Sequence, residues 1–255
     1  MMLRKTLLLA AIAGLVTANA AVAQDFGTIK GRLVWGGAAL PDAPLKVKKD
    51  DPNAKDASVC AVKDIPNEDY VIDPATKGVK NGFAYVVSPK GTNPEAEKAI
   101  LAKAAEVEVD QKNCRFFPHA IAFHKSQTLV FKSSDAVGHN VKYTAFTNGG
   151  NNQMISPGGK MAVTLATAEK NPTQFECNIH PWMNGWFMVF DHPFFAVTKE
   201  DGSFEITGVP AGTQKVIVRQ EKVGFVTKNA RQGIDVEVKP GSVTDIGEIV
   251  LMPKP

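Results

Sequence analysis

Excess charge, long apolar runs and hydrolytic motifs are all missing from this chain. Its 255 residues carry 29 Lys and Arg against 26 Asp and Glu. That near balance argues against nucleic acid or a strongly anionic surface as partner, because such binding needs a basic patch to neutralise phosphates. No apolar run reaches the roughly 20 residues that span a bilayer, so stable membrane insertion is not expected. Neither G-x-S-x-G nor H-E-x-x-H occurs, which removes two common hydrolytic constellations. Cysteine is sparse, with three residues, an odd number.

Residues 1–23 read as a secretory signal peptide. Arg4 and Lys5 form the charged start, residues 6–16 the short apolar centre, and Ala21-Val22-Ala23 a small-residue cleavage site before Gln24. Export to a periplasmic or extracellular space is therefore expected. An oxidising compartment allows Cys60 and Cys114 to form a disulfide, the alternative being two free thiols, and leaves Cys177 over.

The mature part reads as all-β with one short connecting helix. Residues 28–35 alternate apolar and polar side chains and end at Gly36-Gly37, as a half-buried strand closed by a turn does. Residues 41–65, rich in Pro, Asp, Lys and Ala, lack periodicity and read as irregular. A strand-like run at 82–87 precedes the helix signal, in which Thr92 and Glu95 have capping-box spacing, Pro94 sits in the first turn, and 95–105 are mostly strong helix formers. Short β-rich runs at 107–110, 120–123 and 128–132 then suggest a sandwich. His119 and His124 are five apart on such a run, so their side chains face opposite ways. His119 is a candidate support for a site, His124 a surface residue.

The chemistry is concentrated in Cys177-Asn178-Ile179-His180-Pro181-Trp182-Met183. A thiolate, an imidazole and a thioether within seven residues, on a turn that Pro181 keeps from being helical, suit one soft or borderline ion. An electron-transfer copper site needs Cys and two His in a trigonal plane with a weak axial Met. The second His has to come from elsewhere, and His139, in Asp135-Ala136-Val137-Gly138-His139-Asn140-Val141, is the best candidate.

At these residues the chain resembles the cupredoxin, or type 1 blue copper, family, and its C-x2-H-P-x-M spacing is similar to the amicyanin type of methylamine utilisation. The resemblance covers about 106–190. It implies a Greek-key sandwich, one copper ion cycling between Cu(I) and Cu(II), His139, Cys177 and His180 as strong ligands, Met183 as axial ligand, and Asn140 as a tie between the two ligand segments. It also implies that the far edge of His180 is exposed within an apolar patch, with Pro181 and Trp182 as docking residues for redox protein partners.

Residues 191–255 have a different character. Asp201-Gly202-Ser203-Phe204-Glu205-Ile206 and Val209-Pro210-Ala211-Gly212 resemble the transthyretin-like β-sandwich of carboxypeptidase-regulatory type, whose opening G-x-I-x-G-x-V strand matches residues 27–34 instead. This implies a second sandwich built from 24–105 and 191–255 around an inserted copper unit. Three consecutive segments sharing one core are the simpler alternative.

The expected function is one-electron transfer rather than catalysis. With Cys, two His and Met bound, no open position remains for substrate. Glu176 and Asn178 flank Cys177 where multicopper oxidases place His, and the loop lacks the second Cys of a two-copper centre. The alternative is a secreted binding module for carbohydrate or protein in which the copper site is structural or vestigial.

Overall fold

The computed structural model describes residues 25–253, so the signal-peptide reading lies outside the described residues. The chain is nearly all β. The first strand, β1 (Phe26–Trp35), buries Ile29, Leu33 and Trp35 and leaves Lys30 exposed, as its alternation demands. After α1 (Ala57–Cys60) come β2 (Phe83–Val86) and α2 (Pro94–Lys103). Nine strands then follow: β3 (Glu106–Gln111), β4 (Phe116–Phe117), β5 (Ala120–His124), β6 (Thr128–Ser133), β7 (His139–Ala145), β8 (Gly149–Ile155), β9 (Lys160–Thr164), β10 (Thr173–Glu176) and β11 (Asn184–Phe190). The last six are β12 (Phe195–Val197), β13 (Ser203–Pro210), β14 (Gly212–Gln220), β15 (Gly224–Phe225), β16 (Ile234–Val238) and β17 (Val243–Leu251).

Pairing divides these strands by place rather than by sequence order. The middle nine form two sheets, β5-β11-β10-β7-β8 and β4-β3-β6-β9. Between them lies a core in which Phe175 meets Phe116 and Phe131 edge-on, with ring centroids 4.9 and 5.1 Å apart. Such contacts add about 1 kcal/mol each beyond burial. Gly185 makes room for that core, since a Cβ there would come within 2.5 Å of the Phe175 ring.

The two ends of the chain share the other pair of sheets. Strand β1 lies between β13, antiparallel, and β17, parallel, while β2 lies between β12 and β14. Their core holds Ile29, Leu33, Val86, Phe204, Val216 and Leu251. A smaller cluster bridges the two pairs of sheets, with Phe83, Tyr85 and Ile217 on one side and Ala120, Met188 and Phe190 on the other.

Three local expectations are corrected. Helix α2 starts one residue later than a Thr92 cap implies: Asn93 accepts from the Ala96 N–H, while its amide donates to the Gly208 carbonyl at 2.8 Å. An Asn that satisfies both a helix end and a neighbouring turn outcompetes Thr92 for the cap. His124 is not on the surface but fully buried, because Glu97 of α2 reaches over it to Nε2 at 3.1 Å. Finally, the stretch 41–65, expected to be irregular, contains the short helix α1. Val47, Cys60, Ala61 and Ile65 are buried in the core of the middle nine strands, and Cys60 is disulfide-bonded to Cys114, 54 residues away.

Closing a loop of that length constrains the unfolded chain by about 4 kcal/mol in the chain-entropy description. Replacing both Cys60 and Cys114 by Ala should lower unfolding free energy by about that amount, measured by denaturant titration. A loss below about 1 kcal/mol would show that the unfolded chain is already constrained there.

Candidate metal centre

Strand pairing brings the donors together. Strand β7 opens on His139, and β10, which runs beside it, ends one residue before Cys177. The ion pair of Lys142 with Glu176, 2.8 Å, fastens the two strands next to the site. The turn from β10 to β11 closes on itself: Met183 N–H donates to the His180 carbonyl at 2.8 Å, and Cys177 N–H donates to the Met183 carbonyl at 3.1 Å. His180 and Met183 are thereby carried back beside Cys177.

Within this turn the donor atoms converge. The Nδ1 atoms of His139 and His180 are 2.9 Å apart, and Cys177 Sγ lies 4.0 Å from the first and 3.7 Å from the second. Both histidines are fully buried, and Cys177 and Met183 are nearly so. Asn140 joins the two segments, its Oδ1 accepting from Asn178 N–H at 2.8 Å and lying 3.4 Å from Cys177 Sγ.

Each imidazole presents Nδ1 inward because a carboxylate occupies the other nitrogen. Asp135 Oδ2 is 3.0 Å from His139 Nε2, and Asp56 Oδ2 is 2.9 Å from His180 Nε2. A ring whose Nε2–H is bound this way offers its Nδ1 lone pair to an ion. Asp135 is itself fixed by the backbone N–H groups of Asn113 and Cys114, at 2.6 and 2.8 Å. Among the described residues, other triads of potential ligands near here include Cys114, whose sulfur is committed to the disulfide. His139, Cys177 and His180 are left as the set with free donors, one thiolate and two imidazoles, which fits copper or zinc.

Charge within the cluster is self-supporting. Burial would raise the Cys177 thiol, but hydrogen bonds from His139, His180 and the Asn140 backbone bring its pKa down to about 6. Burial would lower His139, yet the Asp135 carboxylate and the Cys177 sulfur push it up to about 9. Each group thus favours the charged form of the other.

The remaining candidates fall elsewhere. His119 is not part of any ligand cluster among the described residues; its Nε2 is 2.6 Å from Glu221, in the turn after β14. Trp182 is half-buried, its indole N–H donating to the Cys114 carbonyl at 3.0 Å, and Pro181 beside it is exposed. The expected exposed edge of His180 is absent, because Asp56 and the segment carrying it cover that nitrogen. Asp56 was not singled out in the sequence: it stands in an aperiodic stretch 124 residues from its partner. Asp135 lay inside the motif around His139 and carried no assigned role.

No protein-family model matches the chain, and a search of curated proteins finds no match. Solved structures with partial likeness include a Cu(I) form of an amicyanin variant, 20% identical over 34% of this chain and 90% of that one, with a TM-score of 0.31. A reduced form of another amicyanin variant is 19% identical over 42% of this chain and 98% of that one, TM-score 0.31. The copper-containing nitrite reductase of Thermus scotoductus is 18% identical over 33% of this chain and 22% of its own, TM-score 0.29.

In the metal-free protein, thiolate absorbance followed against pH should give a midpoint near 6 for Cys177. His139→Ala removes a donor to the sulfur, so the midpoint should move upward toward that of an ordinary thiol. A midpoint unchanged by that substitution would mean that His139 does not support the thiolate.

Proposed function

We propose that this chain is an exported carrier of single electrons of the cupredoxin type, holding one copper ion on His139, Cys177 and His180 with Met183 as a weak fourth ligand. The observation that carries this reading is the buried convergence of one sulfur and two inward-facing Nδ1 atoms on adjacent strands. Copper bound there would supply a one-electron couple. The protein's part is to hold the donors in one arrangement for both oxidation states: the β7–β10 pairing, the closed 177–183 turn and the Asn140 tie leave each little room to move.

Burial also keeps water and small substrates from the donors, which suits a carrier better than a catalyst. We read the middle nine strands as the copper sandwich, inserted into a second sandwich of transthyretin-like type that the two ends of the chain complete. Redox proteins are the expected partners. A binding-module reading finds less support. The groove of about 400 Å³ over β1, β13 and β17 has four of its six charged side chains paired with one another, Lys30 with Asp245 and Arg32 with Glu248, which leaves less of its charge for a ligand.

Purified protein given Cu(II) should develop an intense visible thiolate-to-copper band that bleaches on reduction. Cys177→Ser should abolish the band because its donor is gone, whereas Met183→Leu should keep the copper and shift its potential, the axial bond being weak. A protein that stays colourless with Cu(II) would overturn the reading.

A further inference from the structure

The contact of Asp56 with His180 has no counterpart in the resemblance that the sequence carries, and several features converge on it. His180 Nε2 meets Asp56 Oδ2 at 2.9 Å. The residue delivering this carboxylate stands in the left-handed region, at φ 53° and ψ 44°, which Asp enters more readily than most non-glycine residues but still with some strain. Strain of that kind persists only where the surroundings enforce it.

Here the enforcement is visible. The Asp56 carbonyl accepts from the N–H groups of Val59 and Cys60, both at 2.9 Å, which starts α1. The segment is closed at its base by the Val47–Ile65 bridge, and Asp50 N–H donates to the Ala61 carbonyl at 2.8 Å. Its end is fixed by the Cys60–Cys114 bond. Cys114 in turn donates its N–H to Asp135, the carboxylate on His139. A single disulfide thus connects the anchorages of the two carboxylates that hold the two imidazoles.

We infer that Asp56 is a positioning residue of the metal centre: its carboxylate fixes the Nε2–H tautomer of His180 and, by making that imidazole a stronger donor, biases the bound ion toward Cu(II). The inference rests on the copper reading above. A carboxylate behind a ligating imidazole raises ligand basicity, and losing such a partner costs about 10-fold to 100-fold in metal affinity. The effect is larger for the ion of higher charge. Removing Asp56 therefore lowers the preference for Cu(II) over Cu(I) and raises the reduction potential. Its side chain is 30% exposed, so the lower end of the range applies, about 10-fold for Cu(II); because Cu(I) loses some affinity too, the potential shift is at most about 59 mV for one electron.

The test uses the full-length copper-loaded protein and the variants Asp56→Ala, Asp56→Asn and Asp56→Glu. Redox titration should show the potential raised by tens of millivolts, up to about 59 mV, in Asp56→Ala, raised less in Asp56→Asn, which keeps an acceptor but no charge, and largely restored in Asp56→Glu. In metal-free protein, 15N-resolved NMR should find His180 as the Nε2–H tautomer, with Asp56→Ala losing protection of that proton from exchange. An unchanged potential and tautomer in Asp56→Ala, with the wild-type visible band present, would overturn the role of Asp56 and leave the copper reading standing. Should Asp56→Ala fail to fold, the potential of the isosteric Asp56→Asn decides in its place. Absence of the wild-type band would overturn both.

Discussion

Three polar groups that prefer water, two imidazoles and a thiol, are buried against one another, and much of the neighbouring structure serves to make that tolerable. A buried donor or acceptor without a partner costs about 1–3 kcal/mol. Here nearly every one has a partner that also sets its direction: Asp135 and Asp56 take the two Nε2 atoms, Asn140 lies beside the sulfur, and Nδ1 and Sγ face inward together. The groups left to satisfy one another are those that can bind a metal.

Rigidity follows from how the donors are mounted. His139 and Cys177 sit at the ends of neighbouring strands, while His180 and Met183 sit on a turn closed by its own backbone hydrogen bonds. Beneath them the Phe116, Phe131, Phe175 and Phe187 rings fill the core of the same sandwich. The disulfide, together with Val47, Ala61 and Ile65, attaches to that core the segment that carries Asp56 over His180. Support of this kind holds the donors in one arrangement.

Much of this was legible from the residues alone. Period-two alternation marked β1, and β-rich runs with turn residues between them marked the middle strands. The types and spacing of Cys177, His180 and Met183 singled out the loop, and the structure brings His139 to Cys177 and His180. What misled was exposure. His124 and the edge of His180 were expected at the surface, and both are covered by elements distant in sequence, α2 in one case and the α1 segment in the other.

Local pattern by itself therefore determined the all-β class and pointed to Cys177 and His180 as donor residues, because strand periodicity and ligand chemistry are written in short stretches. Tertiary structure decided the rest: that the first and last strands share a sheet, that Cys60 lies against Cys114, and that Asp56 closes over His180. These are contacts across 54 to more than 200 residues. No periodicity encodes them, since they depend on which surfaces remain to be buried once the local elements have formed.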